Sequence, residues 1–156
     1  MGAALSRVVL DTNVMLRGLV SPTSAAAGVL AAADQRRFIT LLSRPIIAEY
    51  RDVLTDQTLT RRFPSLTRKR VETALARLRY RGDYLRRVTA RFDYPRDPLD
   101  AKFIELAIAG HATHLITHDA DLLDLPHGRD DPAKRFRQRL PKLEVMESVE
   151  FLRRQR

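Results

Sequence analysis

The stretch Arg7-Val-Val-Leu-Asp-Thr-Asn-Val14 decides the fold that we predict for this chain. Its apolar residues 8–10 predict a short buried strand, and Asp11, Thr12 and Asn13 follow where that strand ends. In a parallel sheet, ligands bind outside the carboxyl ends of the strands, so Asp11 lies where a functional carboxylate would be placed. Asp11 could instead open a turn or cap the next helix, which aspartate does well.

Helical patterns and short apolar strands alternate along the chain, which predicts a parallel sheet with helices on both faces. The predicted strands are 8–10, 38–42, 114–117 and 143–146, with 85–90 as an edge strand. The predicted helices are 25–34, capped by Ser24, and 67–81, stopped by Gly82. Three more are predicted: one capped by Ser43, one that begins at Asp100 and stops at Gly110, and one capped by Ser148. A loop or a short broken helix is expected over 16–22, because of Gly18 and Ser21-Pro22, and loops are expected over 58–64 and 124–142. The fold class is therefore α/β: a single-domain, Rossmann-like α/β/α sandwich with a central parallel sheet of four to five strands, spanning 1–156 with its core over about 7–150.

Composition favours a soluble cytoplasmic domain. The 156 residues suffice to bury one substantial core. No apolar run reaches the length of a membrane span, and the residues before the first strand lack the pattern of a secretion leader. The absence of cysteine excludes disulfides, thiolate metal sites and cysteine nucleophiles, and the four histidines lack the paired spacing of a zinc site. We therefore expect no membrane partner.

Positive charge is concentrated in one segment. Residues 61–91 hold eleven Arg or Lys against two acids, a local charge of +9 that equals the net charge of the whole chain. A basic segment on a neutral body is typical of proteins that bind a polyanion such as RNA, although it can equally be a solvated helix face. The candidate RNA contacts are Arg68, Lys69, Arg70, Arg77, Arg79 and Arg81.

Four acidic residues are predicted around one rim of the sheet. Asp11 and Asp119 follow strands, Asp100 begins a helix, and Glu49 lies in the early turns of another. Right-handed crossovers bring successive strand ends to one rim, so we expect these side chains to converge. Carboxylates about 5 Å apart repel by roughly 3 kcal/mol at an effective dielectric near 20, so such a cluster needs protons or cations. One or two Mg²⁺ or Mn²⁺ ions would meet that need, whereas Asp100 and Asp119 taken singly could be helix caps.

An acidic metal pocket beside a basic segment predicts a nuclease, because divalent ions activate water and neutralise charge at a phosphodiester. The chain carries no Gly-rich phosphate loop, no dinucleotide fingerprint and no nucleophile elbow. A phosphoacceptor domain with Asp11 as its nucleophile would need a lysine at a later strand end, and none of the four lysines takes that position.

Four motifs taken together resemble the PIN-domain ribonucleases, most closely the toxins of type II toxin–antitoxin systems. In order over roughly 7–150, they are the opening stretch, Glu49 in Pro-Ile-Ile-Ala-Glu-Tyr, Asp97-Pro-Leu-Asp-Ala-Lys-Phe and Leu-Ile-Thr-His-Asp-Ala-Asp-Leu-Leu123. Each motif alone is weak, whereas the ordered set is specific. The resemblance implies a PIN-like fold, Mg²⁺- or Mn²⁺-dependent endoribonuclease activity, an antitoxin partner and a homodimer.

The resemblance also implies roles for individual residues. The small polar residues Thr12, Asn13 and Thr117 would position the acids or the water. Asp97 would either support the site or close a turn. His118 departs from the family pattern, in which a small residue is more usual, and it would narrow the pocket or contact a phosphate. The residues matched to the catalytic and metal-binding acids are Asp11, Glu49, Asp100 and Asp119, with Asp121 as an accessory metal ligand.

The alternative reading is a PIN-like module that binds RNA or a protein with little or no catalysis, because the basic segment would suffice for binding. Convergence of the four carboxylates separates the two readings. Direct ligands lie about 2.0–2.6 Å from these ions, so carboxylates well over about 10 Å apart could not share one.

Overall fold

A five-stranded parallel sheet forms the centre of the structure, a computed structural model that describes residues 4–155. The strands lie in the order β3-β2-β1-β4-β5, and each neighbouring pair is parallel. Their bounds are β1 Arg7–Leu10, β2 Ile39–Leu42, β3 Asp83–Tyr84, β4 His114–Ile116 and β5 Glu144–Met146.

Helices flank the sheet, which confirms the predicted α/β/α class and the predicted number of parallel strands. Two short 3₁₀ turns, Pro98–Asp100 and Leu125–His127, precede and follow helices. The α-helices of the described residues are α1 Thr12–Val20, α2 Ala25–Asp34, α3 Arg44–Leu54, α4 Gln57–Arg62, α5 Arg68–Arg81, α6 Ala101–Ala109, α7 Ala120–Asp124, α8 Asp131–Arg139 and α9 Ser148–Arg154.

The central strand β1 fixes the rim at which the predicted acids lie. Its three apolar residues are fully buried. Beyond the strand, the N–H of Asp11 donates to the carbonyl of Ile116 at 2.9 Å, and the N–H of Thr117 donates to the carbonyl of Met146 at 3.0 Å. These bonds align the carboxyl ends of β1, β4 and β5.

The core is closed by helices from distant parts of the chain. Helix α2 packs against α1 and α9, while α6 packs on β1 and β2. The rings of Phe38, just before β2, and Phe151, on α9, meet edge to face with their centroids 5.2 Å apart. Both rings are buried, so the last helix is part of the same core as the first strands.

Several helix ends are placed as the sequence predicts. The hydroxyl of Ser24 accepts the N–H of Ala27 at the start of α2, and Gly82 and Gly110 follow the last residues of α5 and α6. Ser43 takes the predicted cap position of α3, but its hydroxyl makes no capping hydrogen bond.

Two segments expected to be irregular are helical instead. The segment 16–22 lies largely in α1, which is continuous to Val20. Gly18 suggested a break, but it serves packing between helices, because a Cβ there would lie 2.5 Å from Cδ1 of Leu30. The segment 58–64 is largely α4, which begins where the carboxylate of Asp56 accepts the N–H of Leu59.

The edge strand and the late loop were also predicted wrongly. The edge strand is Asp83–Tyr84 rather than 85–90, and it begins directly after Gly82. The segment 124–142 contains α8, whose short buried face, Ala133 and Phe136, is hidden among polar residues in the sequence.

Ser148 does not cap α9. It is the first residue of that helix, Glu147 takes the cap position, and the Ser148 hydroxyl lies 3.1 Å from Nε2 of His118.

No single helix among residues 4–155 has the length and apolar character needed to cross a membrane. By length and composition alone, the pair α1 and α2, bent by 99°, meets that criterion.

Replacing Gly82 with alanine should destabilise the fold. The new Cβ would lie 2.5 Å from the carbonyl oxygen of Thr40 and 2.8 Å from that of Leu78, and backbone atoms cannot move aside as a flexible side chain can. We expect Gly82→Ala to lower the free energy of unfolding by about 1–3 kcal/mol, measured by urea denaturation.

Gly28→Ala is the matched control, because its new methyl would meet only the end of the Leu152 side chain, at 2.8 Å from Cδ1. The gain in helix propensity, about 1 kcal/mol, offsets that contact. Equal stability of the two variants would contradict the role assigned to Gly82.

Candidate active site

Asp11 is the most firmly held acid of the rim. Its side chain is buried, with only 5% of the residue exposed. Oδ1 accepts the N–H of Thr12 at 2.7 Å, whereas Oδ2 accepts the hydroxyl of Thr117 at 2.6 Å and the amide of Asn13 at 3.3 Å. Asp11 therefore both caps α1 and presents a fixed carboxylate at the strand ends, so the two readings of this residue are compatible.

Glu49 reaches the same rim from α3. Its Oε1 lies 2.6 Å from the ammonium of Lys102, and its Oε2 accepts the hydroxyl of Thr12. The next residue, Tyr50, is fully buried and donates its hydroxyl to the carbonyl of Leu10. That bond anchors α3 to the end of β1 and places Glu49 beside Asp11.

Lys102 is a site residue that the sequence reading did not identify. It lies two residues after Asp100, on the helix that carries that acid toward the rim. The only available signal was the lysine within Asp-Pro-Leu-Asp-Ala-Lys-Phe, and periodicity assigns such a lysine to solvent.

The strand β4 supplies the next acids. The N–H of Asp119 donates to Thr117 Oγ1 at 3.0 Å, and Asp119 Oδ1 accepts the N–H of Asp121 at 3.2 Å, which makes Asp119 the cap of α7. Asp121 turns outward and pairs with Arg96 at 3.3 Å.

His118 is held by two neighbouring elements. Its N–H donates to Oδ1 of Asn13 at 3.2 Å, and its ring lies 3.1 Å from the Ser148 hydroxyl of α9. Burial lowers the pKa of this histidine, which favours the neutral ring. Its ring therefore contacts α9 instead of standing free beside the acids.

Charge interactions link Asp100 and Asp11 to the other predicted acids. Burial first, and then the charges of Asp11, Asp97, Asp119 and Glu49, raise the pKa of Asp100 to about 7. Burial also raises the pKa of Asp11, as do Glu49 and Asp119, against the lowering effect of its hydrogen bonds. The neighbouring carboxylates thus disfavour ionisation of Asp100 and of Asp11.

Asp97 closes the turn before Asp100, which is one of the two roles left open by the sequence. Its Oδ1 accepts the N–H of Leu99 at 3.2 Å, as the cap of the first 3₁₀ turn.

Tyr94 is a second residue that the sequence reading missed. Only 2% of it is exposed, and among the described residues its buried hydroxyl has no hydrogen-bond partner. Burial, together with Asp121 and Asp119, raises its pKa to about 12, so the hydroxyl remains a donor. It lies in a loop without periodicity, so no sequence signal was available.

The donor set fits a hard divalent cation in its chemistry. All the ligands on offer are oxygens, their charges repel, and the Tyr94 hydroxyl lacks an acceptor that ordered water around an ion would supply. Within residues 4–155, however, no three acidic or histidine side chains are grouped closely enough to ligate one ion as they stand. Glu49, Asp119 and Asp121 instead accept bonds from Lys102, a backbone N–H and Arg96.

The predicted RNA contacts lie around a different feature, a groove between α1, α2 and α5 with a volume of about 620 Å³. None of the four acids lines this groove. Lys69, Arg70, Arg77 and Arg81 border it, and Arg81 pairs with Asp34 at 3.0 Å. Arg68 is exposed, whereas the guanidinium of Arg79 stacks 4.3 Å from the centre of the Tyr84 ring. The apolar residues that line the groove, and that form what we call its floor, are Met15, Gly18, Leu19, Leu30, Ala74 and Leu78.

In a parallel α/β domain, the ends of the strands are where ligands bind, and here that rim carries acidic side chains. A family model described as the PIN domain matches residues 7–121, so the chain belongs to the PIN domain family. PIN domains are generally nucleases and typically use Mg²⁺ or Mn²⁺. No curated protein and no solved structure matched the chain.

The raised pKa of Asp100 predicts how stability depends on pH in the metal-free protein. A carboxyl with a pKa of 3.8 when unfolded and about 7 when folded stabilises the fold while it is protonated, and that contribution is lost as pH rises through this interval. In EDTA, the Asn variant of Asp100 should therefore become more stable relative to wild type between pH 4 and pH 8. Urea denaturation across this range measures the change.

Asp124→Asn, at an exposed aspartate outside the rim, is the matched control and should track the wild-type pH profile. If Asp100→Asn leaves the profile unchanged, the carboxylates do not interact as described.

Proposed function

We propose that this protein is an Mg²⁺- or Mn²⁺-dependent endoribonuclease that hydrolyses RNA phosphodiester bonds. The observation that carries the proposal is the placement of the acids at one rim. Asp11 and Glu49 share Thr12, Asp11 and Asp119 share Thr117, and the charges of these acids help to raise the pKa of Asp100 to about 7. A binding module would gain nothing from holding like charges together, whereas a metal-dependent hydrolase needs them. This observation favours catalysis over the alternative of a PIN-like module that only binds RNA or protein.

The catalytic and metal-binding residues we propose are Asp11, Glu49, Asp100 and Asp119, with Asp121 as an accessory ligand. When bound, one or two divalent ions supply a Lewis acid for the phosphodiester and for the attacking water.

The chain's own polar residues prepare the rim for this reaction. Thr12, Asn13 and Thr117 fix the orientation of the Asp11 carboxylate. The raised pKa of Asp100, about 7, allows its carboxyl to hold a proton near neutral pH. Asp97 shapes the turn that delivers Asp100.

RNA is the proposed substrate because the local charge of +9 over 61–91 is suited to a phosphate backbone. Arg68 and Arg79, which do not border the groove, are the simplest RNA contacts of α5. Four expectations stay predictions: the toxin role in a toxin–antitoxin pair, the cytoplasmic location, the homodimer and the single domain over 1–156.

We also propose that the groove binds an acidic amphipathic helix of an antitoxin protein. The groove follows α5, whose 14 residues extend about 21 Å, the length of a short helical partner. The floor of the groove is apolar and its border carries Lys69, Arg70 and Arg77. A partner helix with an apolar face flanked by carboxylates would therefore complement the groove.

Substitution of Asp11 tests the catalytic proposal. Asp11→Asn removes a carboxylate charge while preserving its shape, so it should slow Mn²⁺-dependent cleavage of a labelled RNA by about 10²-fold or more, since metal-held charge stabilises the transition state by several kcal/mol. Asp119→Asn should behave similarly. Cleavage is measured under single-turnover conditions, with RNA affinity determined in parallel by filter binding.

Asp124→Asn is the control, an exposed aspartate whose rate should match wild type. Equal rates in Asp11→Asn and wild type would contradict the proposal. RNA binding without metal-dependent cleavage by the wild type would instead support the binding-module reading.

A charge placed in the groove floor tests the partner proposal. A synthetic 16-residue helix with one leucine face and one glutamate face serves as the probe, followed by fluorescence anisotropy. Ala74→Glu puts a carboxylate among apolar atoms, and we expect it to weaken peptide binding at least about tenfold while leaving RNA cleavage unchanged.

Ala76→Glu introduces the same charge at an exposed position of α5 outside the groove, so it should retain binding. Peptide binding that is absent, or equal in both variants, would refute the assignment. Loss of RNA affinity confined to Ala74→Glu would assign the groove to RNA.

A further inference from the structure

One tyrosine of the basic segment is exposed. Tyr80, near the end of α5, is 78% exposed, whereas Tyr50 and Tyr94 are buried. Tyr84 is half-buried, and the guanidinium of Arg79 covers one face of its ring. The side chain of Tyr80 is therefore open to a ligand, on a helix that carries strong positive charge.

An arginine from another part of the chain lies over the Tyr80 ring. The guanidinium of Arg36, in the turn between α2 and β2, is 5.6 Å from the centre of the ring, within the range of a cation–π interaction. Its neighbour Arg37 is exposed, as is Arg79, which precedes Tyr80 in α5. Among residues 4–155, none of these three arginines pairs with an acidic side chain at salt-bridge distance. Their charge is thus available to an anionic ligand.

Helix termination does not explain why an arginine occupies position 36. The N–H groups of Arg36 and Arg37 donate to the carbonyls of Ala33 and Ala32, both at 3.0 Å, and so close the end of α2. Arg36 has a φ of 56°, a left-handed conformation that suits glycine and disfavours a residue with a Cβ. Glycine would end the helix at a lower cost in stability. The position therefore favours a role for the arginine side chain.

This pair lies away from both sites described above. Arg36 precedes β2 and Tyr80 precedes β3, whereas Asp11 and Asp119 follow β1 and β4. Because the strands are parallel, the pair lies at the edge of the sheet opposite the acids, and the four residues of β2 alone extend about 13 Å. Neither Tyr80 nor Arg36 lines the groove between α1, α2 and α5. A ligand of this pair would therefore leave the groove and the acids free.

We propose that Tyr80 and Arg36 form a stacking surface for an unpaired base of single-stranded RNA. Aromatic rings and guanidinium groups both stack on the face of a base, and Arg37 and Arg79 would meet the adjoining phosphates. Bases inside a duplex already stack on one another, so this surface would select unpaired RNA. The inference rests on the proposed RNA substrate and adds that it is single-stranded. A protein partner is less suited, because one exposed ring among arginines offers little apolar area.

A fluorescent reporter at position 80 tests for stacking. The chain contains no tryptophan, so Tyr80→Trp introduces a single indole. In EDTA, which prevents metal-dependent cleavage, a single-stranded oligouridine of about 12 nucleotides should quench this fluorescence to saturation, because a stacked base quenches indole. An RNA duplex of the same length and heparin, which carry charge without an accessible base, should not. Equal quenching by these polyanions, no quenching by oligouridine, or quenching by the leucine–glutamate helix instead of RNA overturns the inference.

Affinities for the same oligouridine separate stacking from charge. Tyr80→Ala should weaken binding about tenfold or more without changing the slope of log K against log salt, because it removes no charge, and Tyr80→Phe should bind as wild type. Arg36→Gly should weaken binding and reduce that slope by about one, yet raise the midpoint of urea denaturation, because glycine accepts the left-handed backbone. A purely structural role for Arg36 would lower affinity and stability together.

Arg129→Ala is the matched control, because it removes the same charge at an exposed arginine outside the surface, and it should bind as wild type does. Wild-type affinity in Tyr80→Ala or in Arg36→Gly overturns the inference, as does an equal loss in Arg129→Ala.

The failure of this inference is distinguishable from that of the proposed function. If the wild type cleaves RNA with Mn²⁺ and Tyr80→Ala binds RNA equally well, the nuclease stands and the stacking surface falls. If the wild type does not cleave but oligouridine quenches Tyr80→Trp, the surface stands and the catalytic proposal falls.

Discussion

Repulsion among carboxylates at one rim of a parallel sheet is the constraint on which the rest of this structure depends. Parallel strands must end at the same edge, so the acids that follow β1 and β4 are brought together by topology alone. The cost of this repulsion is seen at Asp100, because burial and the neighbouring acids raise its pKa to about 7. Much of the polar architecture around the rim serves to hold these groups in spite of that cost, as Thr117 does for Asp11.

Neutral hydrogen-bond donors, rather than cations, hold most of the acidic side chains in place. Threonine hydroxyls and backbone N–H groups contact the carboxylates, because they donate hydrogen bonds without adding charge. The buried Tyr50 then ties α3 to β1, so the distance between the elements that carry Glu49 and Asp11 is set by a bond remote from the acids themselves. Of the four acids, only Glu49 pairs with a cationic side chain, Lys102, among the described residues. Such an order keeps most of the negative potential available to a ligand.

The sheet and the acids were predictable because their signals are local. An apolar run followed by aspartate predicts a buried strand with an acid at its end, and the structure has this arrangement at 8–11 and 114–119. What failed depended on distant partners: Gly18 looked like a helix break until the contact with Leu30 was known, and the face of α8 has too few apolar residues to detect. Lys102 and Tyr94 could not be found for the same reason, since their importance arises from the acids they meet after folding.

The family match ends at residue 121, yet the structure does not end there. Strand β5 pairs with β4 along its whole length, and Phe151 fills the core beside Phe38. A polypeptide cut at the boundary of the match would leave β4 as a bare edge with unpaired backbone groups, a template for pairing between molecules. The described residues after 121 therefore complete the sheet and its core, although they contribute none of the four acids of the rim.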